Sequence, residues 1–280
     1  LALGVDVVRN ENLTWNVQAN FTRNRNEVIS IVSDRFFGPQ IDVAAKIPGN
    51  LVEEGLPVGV FFGYQLDGIY RSEQEAQEAA VDQSGVYLQE AGEYRVADIN
   101  GDGVITPEDR TVIGDPHPDF IYGLNSSLTW KNFTLDVNFQ GVQGNDILWN
   151  DARALIGGVR LQEFYNNRWT PQNPDATYPK PNQNATELAS FYDSRLIFDG
   201  SFLRLRNLAL GYQLPLDQMG ITGITGLRVY SSVTNLFTIT DYPGYNPDVN
   251  SFGQNTINQG IDRGAYPLAR TYTLGLNLTF

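Results

Sequence analysis

The final ten residues, Thr271 to Phe280, alternate without a break. Tyr272, Leu274, Leu276, Leu278 and Phe280 fall on one side of an extended strand, and Thr271, Thr273, Gly275, Asn277 and Thr279 on the other. An apolar face opposite a small polar face, ending on an aromatic, predicts a wall strand of a transmembrane barrel with hydrocarbon outside and water within. The same pattern recurs upstream. Leu13, Trp15, Val17, Ala19 and Phe21 share a face, and only Asn10-Glu11-Asn12 separates them from an opening strand that sets Leu1, Leu3, Val5 and Val7 against Ala2, Gly4, Asp6 and Val8. That spacing predicts a tight hairpin. Phe120, Tyr122, Leu124, Leu128 and Trp130 are answered by Phe133, Leu135, Val137 and Phe139 across a turn at Lys131-Asn132, and Leu227, Val229, Val233 and Phe237 form a penultimate strand.

Between Ser201 and Gln213 the parity slips. Leu203 and Leu205 are odd, whereas Leu208, Leu210 and Tyr212 are even, so one residue near Arg206-Asn207 must be extra. A β-bulge is expected there. The alternative turns Arg204 and Arg206 toward lipid, which hydrocarbon penalises.

Counting gives about seven strands. Short connections at 10–12, 131–132 and roughly 214–225 alternate with long ones at 33–118, 141–200 and 238–266. An up-and-down barrel sorts its connections this way when one rim is periplasmic and the other extracellular. The expected fold class is therefore all-β, part of a large antiparallel transmembrane β-barrel, with the three long segments as extracellular loops. A short helical run is expected at Ser72 to Ala80. The aromatics fall into two rims: Trp15, Trp130, Phe133, Tyr212 and Phe280 near the short turns, and Phe21, Phe120, Tyr122, Phe139, Phe202, Phe237 and Tyr272 near the long loops. Such rims match the interfacial girdles of a lipid-facing band.

Composition refines this picture. A formal charge of −13 disfavours nucleic acid and anionic lipid as partners. With no cysteine there is neither a disulfide framework nor a thiolate metal site. No apolar run is long enough for a transmembrane helix, which leaves a barrel of short strands open. The chain opens on Leu1 in mid-strand, so a signal peptide, a plug and further N-terminal barrel strands are expected to lie outside it.

Candidate chemistry is concentrated in the long segments. Asp98, Asn100, Asp102, Val104, Thr106 and Asp109 occupy positions one, three, five, seven, nine and twelve of a calcium loop, with Gly103 at the sharp turn. Oxygen ligands at that spacing wrap a hard cation, so Ca2+ is the expected ion, its role being to stiffen a surface loop. Asp109 is shorter than the usual bidentate Glu, and Gly114, Pro116 and Pro118 exclude a following helix. An Asx-rich turn without an ion is the alternative. Trp149, Tyr165, Trp169 and Tyr192 are candidates for stacking on a sugar ring or peptide side chain, or for pinning a long loop to its neighbours. Asn-x-Ser/Thr triplets at Asn12, Asn20, Asn125, Asn132, Asn184 and Asn277 match the glycosylation pattern, but several lie inside strands, where alternation explains them as small polar residues of the inner face. The single histidine, His117, sits between two prolines, and no nucleophile elbow, phosphate loop or zinc spacing occurs, so an enzyme is not expected.

Several motifs occur together in one order. Asp98-x-Asn-Gly-Asp-Gly-x-Ile is followed by Gly114-Asp-Pro, Pro118-Asp-Phe, Asn167-Arg-Trp-Thr-Pro and Phe202-Leu-Arg-Leu-Arg-Asn-Leu. Asn235-Leu-Phe, Gly244-Tyr-Asn-Pro and Tyr266-Pro-Leu-Ala-Arg then lead into the last strand. From about Leu56 onward the chain resembles the C-terminal region of SusC/RagA-type TonB-dependent outer-membrane transporters. The resemblance implies a plugged barrel of roughly 22 strands, energised through TonB and capped by a SusD-like surface lipoprotein. It also implies the outer membrane of a Gram-negative bacterium and a nutrient cargo, oligosaccharides first. A different class of answer is a soluble, secreted calcium-binding β-protein that binds carbohydrate.

Overall fold

The computed structural model describes residues 1–41, 48–85, 88–152, 162–181, 193–221 and 223–280. Its main element is one seven-stranded sheet: β1 (Ala2–Arg9), β2 (Leu13–Thr22), β3 (Phe120–Trp130), β4 (Phe133–Gln143), β5 (Phe202–Gln213), β6 (Gly226–Thr240) and β7 (Thr271–Thr279). Every strand pairs antiparallel with its neighbour in the chain, as in an up-and-down wall. The three short connections are tied together at one end. Lys131 takes φ 51° in its two-residue turn, its N–H donates to the Asn12 carbonyl at 2.7 Å, and the Gln213 N–H donates to the Asn132 carbonyl at 2.8 Å.

Period-two alternation sorts the sheet into two unlike faces. On β7, Leu274 is 80% exposed, Leu276 63% and the following Phe280 88%, and no second sheet covers them among the described residues. A soluble sandwich would bury this row. Rings gather at both ends of the wall. Phe133 meets Trp130 at 6.1 Å and Tyr212 at 4.5 Å near the short turns, while Phe120 meets Phe21 at 5.1 Å and Tyr122 at 5.9 Å near the long connections. Phe202 does not belong with them. It lies one position out of phase with Leu203 and Leu205, on the inner face, buried beneath the Arg204 guanidinium at 4.7 Å.

The opposite face is polar and internally hydrogen-bonded. Asn16 Nδ2 donates to Asp6 Oδ1 at 2.9 Å, Ser127 Oγ to Asp136 Oδ1 at 2.7 Å, and Arg228 Nη2 to Thr134 Oγ1 at 2.9 Å, while Asn138 reaches Asn125. Gly275 is required by a close approach: the Tyr230 ring lies where a Cβ would stand.

The expected bulge is at Arg206. Asn138 pairs with Asn207 and Phe139 with Leu205, so Arg206 is passed over on the β4 side and again on the β6 side. The consequence is that Arg204 faces inward while Leu203, Leu205, Leu208 and Leu210 stay on the apolar side. A second bulge corrects the reading of β1: Asp6 pairs with Asn16 and Val8 with Trp15, so Val7 is extra and Val8 continues the apolar row. Adjacent valines hide such a slip, because either one satisfies the alternation.

The long connections are not irregular, as the loss of alternation implied. They fold at the far end of the wall into a set of small sheets. Arg35–Phe37 pairs with Leu51–Glu53, Phe61–Tyr64 with Arg110–Gly114, Leu66–Ile69 with Tyr94–Val96, and Val81–Asp82 with Val104–Ile105. Asp146–Trp149 joins Ile197–Asp199 on one side and Ile261–Asp262 on the other. The expected helical run is a helix at Glu73–Glu78, and the Ser72 side chain caps it by accepting from the Glu75 N–H at 3.2 Å. One apolar core draws on all three connections: Ile41 and Phe61 from the first, Leu148, Ala152 and Leu196 from the second, and Ile261 from the third. A second core, around Tyr64, Ile69, Tyr94, Val96 and Ile105, belongs to the first connection and packs against Trp169 of the second.

Candidate functional site

The loop assembly and the inner face it overhangs are where a ligand entering the wall from its long-connection end would be met. Polar ties between connections hold the assembly. Asn258 is fully buried; its Oδ1 accepts from the Asn50 N–H at 3.0 Å and its Nδ2 donates to the Pro39 carbonyl at 2.6 Å, joining the third connection to the first. Lys180 Nζ donates to Glu90 Oε1 at 2.7 Å and Arg71 pairs with Asp175 at 3.0 Å, joining the second to the first. Sequence reasoning missed these residues. Their only signal is polarity at positions far apart in the chain.

Of the candidate stacking residues, Trp149 is packed edge-on against Phe198 at 5.6 Å and Tyr242 at 6.0 Å. Trp169 lies against Gly92, where a Cβ would strike its ring, and Gly92 takes φ 85°. Both indoles therefore sit in the fabric of the assembly. Tyr165 is exposed, with the Arg168 guanidinium 3.8 Å from its ring centre. Tyr192 lies outside the described residues. Trp149, Tyr165 and Trp169 do not form one platform among the described residues.

The 98–109 segment is a tight turn built on its own N–H groups. Asp98 Oδ1 and Oδ2 accept from Gly101 and Gly103 at 2.8 Å each, Asn100 Oδ1 from Asp102 at 2.9 Å, and Asp102 Oδ1 from Val104 at 2.8 Å. Gly101 and Gly103 adopt φ 75° and 83°, which the turn demands. Thr106 opens the 3-10 turn Pro107–Asp109, its Oγ1 accepting from Glu108 at 3.2 Å. Asp109 is fully buried, and its oxygens accept from Ile99 at 3.0 Å and Thr106 at 2.7 Å. The donor chemistry is that of a calcium loop, all oxygen. Among the described residues, however, no three His, Asp or Glu side chains converge as metal ligands.

His117 is held by Asp115, whose Oδ1 lies 2.7 Å from Nδ1 and also accepts the His117 backbone N–H at 2.9 Å. Burial raises the Asp115 carboxyl, but these His117 contacts outweigh it and hold the group below the usual carboxylate range. Its neighbour Asp146 is pushed upward, first by burial and then by the charges of Asp115 and Asp199, against one bond from the Asp115 N–H. Arg204 is 4% exposed and fully engaged: Nε donates to Thr238 Oγ1 at 3.0 Å, Nη2 to Asn246 Oδ1 at 2.8 Å and Nη1 to Asp248 Oδ2 at 3.3 Å.

An antiparallel wall with a bare apolar side, a hydrogen-bonded polar side and long connections gathered at one end is a segment of a transmembrane β-barrel. The chain is 35% identical over 280 residues to TonB-dependent receptor P3 of Formosa agariphila, covering 98% of this chain and 27% of that protein. It is 32% identical to TonB-dependent receptor P26 of the same organism, covering 100% and 28%. It is 28% identical to TonB-dependent receptor SusC of Bacteroides thetaiotaomicron, covering 96% and 25%. Among solved structures, that of the RagAB peptide transporter matches the whole chain and 28% of its own with a TM-score of 0.74 at 24% identity, a likeness of fold. No protein-family profile matches the chain. The homologues that cover the chain are thus TonB-dependent receptors, SusC among them, and the chain spans about a quarter of the length of the curated relatives it matches.

Proposed function

We propose that the segment works within a longer receptor that imports nutrient oligomers across the outer membrane in a TonB-dependent manner. Oligosaccharides are the first cargo and a SusD-like lipoprotein is the surface partner. The observation that carries this reading is the pairing of a bare apolar face, 63–80% exposed at Leu276 and Leu274, with a polar inner face, in a chain alignable end to end with TonB-dependent receptors. The loop assembly supports the partner: three connections sharing one core offer a fixed surface rather than separate flexible arms. TonB contact belongs to parts of the receptor outside this segment. A soluble calcium-binding protein would need a cover over Leu274 and Leu276. A peptide cargo is the second reading, favoured by the fold likeness to the RagAB peptide transporter.

The 98–109 turn is included in the proposal as a weak calcium site. Ligand types and spacing support it, and weakness follows because the same oxygens already accept backbone N–H groups.

The test is uptake by cells carrying the full-length receptor, offered fluorescent oligosaccharide and peptide mixtures separately, with and without TonB. Uptake of one class that disappears without TonB is expected. Uptake that survives loss of TonB, or none for either class, would overturn the reading.

A further inference from the structure

The seam between β5 and β6 is interrupted on both strands at the same height. Leu205 pairs with Phe237 and the next pair is Asn207 with Thr234, so the ladder passes over Arg206 on one side and Asn235 and Leu236 on the other. Asn235 takes φ 53° there, unusual for a residue with a side chain. The gap adjoins a cavity of about 400 Å³ lined on the inner face by Asn138, Gln140, Arg204, Arg206, Asn207 and Thr234.

The lining is rich in donors and poor in negative charge. The one carboxylate bordering it, Asp248, is already bonded to Arg204. Arg206 is exposed and donates only Nη1, to Gln140 Oε1 at 2.9 Å; among the described residues its Nε and Nη2 have no partner, and neither does the Asn207 amide. The bulge is what builds this set. With strict alternation Arg204, Arg206 and Leu208 would share a face; the extra residue sends Leu208 to the apolar side and keeps Arg206 and Asn207 together inside. In a chain of net charge −13, the Arg206 guanidinium, with no carboxylate partner of its own among the described residues while Asp248 is met by Arg204, is a local positive focus.

We propose that this cavity is a carboxylate-binding site, with Arg206 making a forked contact through Nε and Nη2 and Asn207 adding an amide donor. A guanidinium fork fits the two oxygens of a carboxylate. The inference rests on the inner face being the lumen of the proposed importer. The carboxylate comes either from acidic cargo or from the receptor's own polypeptide outside this segment.

The test uses purified full-length receptor in detergent, with triglutamate and triglutamine as probes in calorimetric titration and thermal melting as a second readout. TonB and uptake play no part, so the outcome is separable from failure of the import reading. Triglutamate binding that triglutamine does not match, and that Arg206→Gln weakens about tenfold or more, assigns the site to cargo. No triglutamate binding, with melting lowered by about 3 °C or more in Arg206→Gln but not in Gln140→Ala, assigns it to a carboxylate of the receptor itself. Equal binding of the two peptides, or triglutamate binding that Arg206→Gln leaves unchanged, overturns the proposal. So does absent binding with both variants melting alike.

Discussion

The hydroxyl of Tyr242 donates a 2.6 Å hydrogen bond to Oδ2 of Asp262, and both residues are buried. It links the start of the third long connection to its inward strand Ile261–Asp262, while Asp262 Oδ1 accepts from the Ala265 N–H at 2.8 Å. Burial, and then the Asp262 carboxylate, push the phenol far above its usual range, so it remains a donor at any ordinary pH. Tyr242→Phe keeps the ring against Trp149 and Phe198 but strands a carboxylate oxygen, at about 1–3 kcal/mol. Hydrogen exchange on the full receptor should quicken across 242–265 and stay unchanged in β7. Equal quickening in both would refute a local tie.

Tyr94 gives the loop assembly a dependence on alkaline pH. Burial, with the Asp193 charge adding to it and Arg195 opposing, raises its phenol from 10.0 to about 12. The folded state thus holds this proton more tightly than the unfolded chain does. Its contribution is intact below pH 10, and is lost as pH rises from 10 toward about 12. Near-ultraviolet circular dichroism should register loosening of the assembly over that window, and Tyr94→Phe should reduce it.

A charge will report which side of the wall meets lipid. Leu276→Arg, near the middle of β7, should cost about 2–4 kcal/mol, whereas Asn277→Arg on the inner face should cost much less. The fraction of receptor running as folded barrel on unheated gels measures both. Equal losses would contradict the two-faced wall.

The Tyr230 ring over Gly275 can be tested by crowding it. Gly275→Val should destabilise the β6–β7 pair by about 1–3 kcal/mol, and Tyr230→Ala in the same chain should recover most of that loss. Thermal melts of the four variants form the cycle, and additive effects would show that the contact does not couple.

Calcium is best tested through charge rather than shape. Asp102→Asn preserves an oxygen to accept the Val104 N–H but removes a negative charge. Added calcium should raise the melting temperature of the full receptor by a few degrees, about 2–4 °C, and Asp102→Asn should abolish the rise. A rise unaffected by the substitution would place the ion elsewhere.

How much of this was legible in the sequence depended on whether a feature disturbs a period. Arg206 was locatable because one extra residue inverts the parity of everything after it. The interruption at Asn235 and Leu236 was invisible, since skipping two residues restores parity, and Val7 was hidden by its neighbour Val8. The loop assembly left no trace for a simpler reason. Its strands are two to five residues long, too short for a period, and its ties join residues as distant as Asn50 and Asn258. The partners of Arg204 were unreadable likewise: Asn246 and Asp248 look like ordinary loop residues until the third connection folds back over β5.

The common core of Ile41, Phe61, Leu148, Ala152, Leu196 and Ile261 has a practical corollary for redesign. Transplanting a single connection from a relative would leave its apolar residues facing mismatched neighbours. An exchange of outer segments should therefore leave a folded assembly only when all three are moved as a set, much as one replaces a lock with its barrel and pins together.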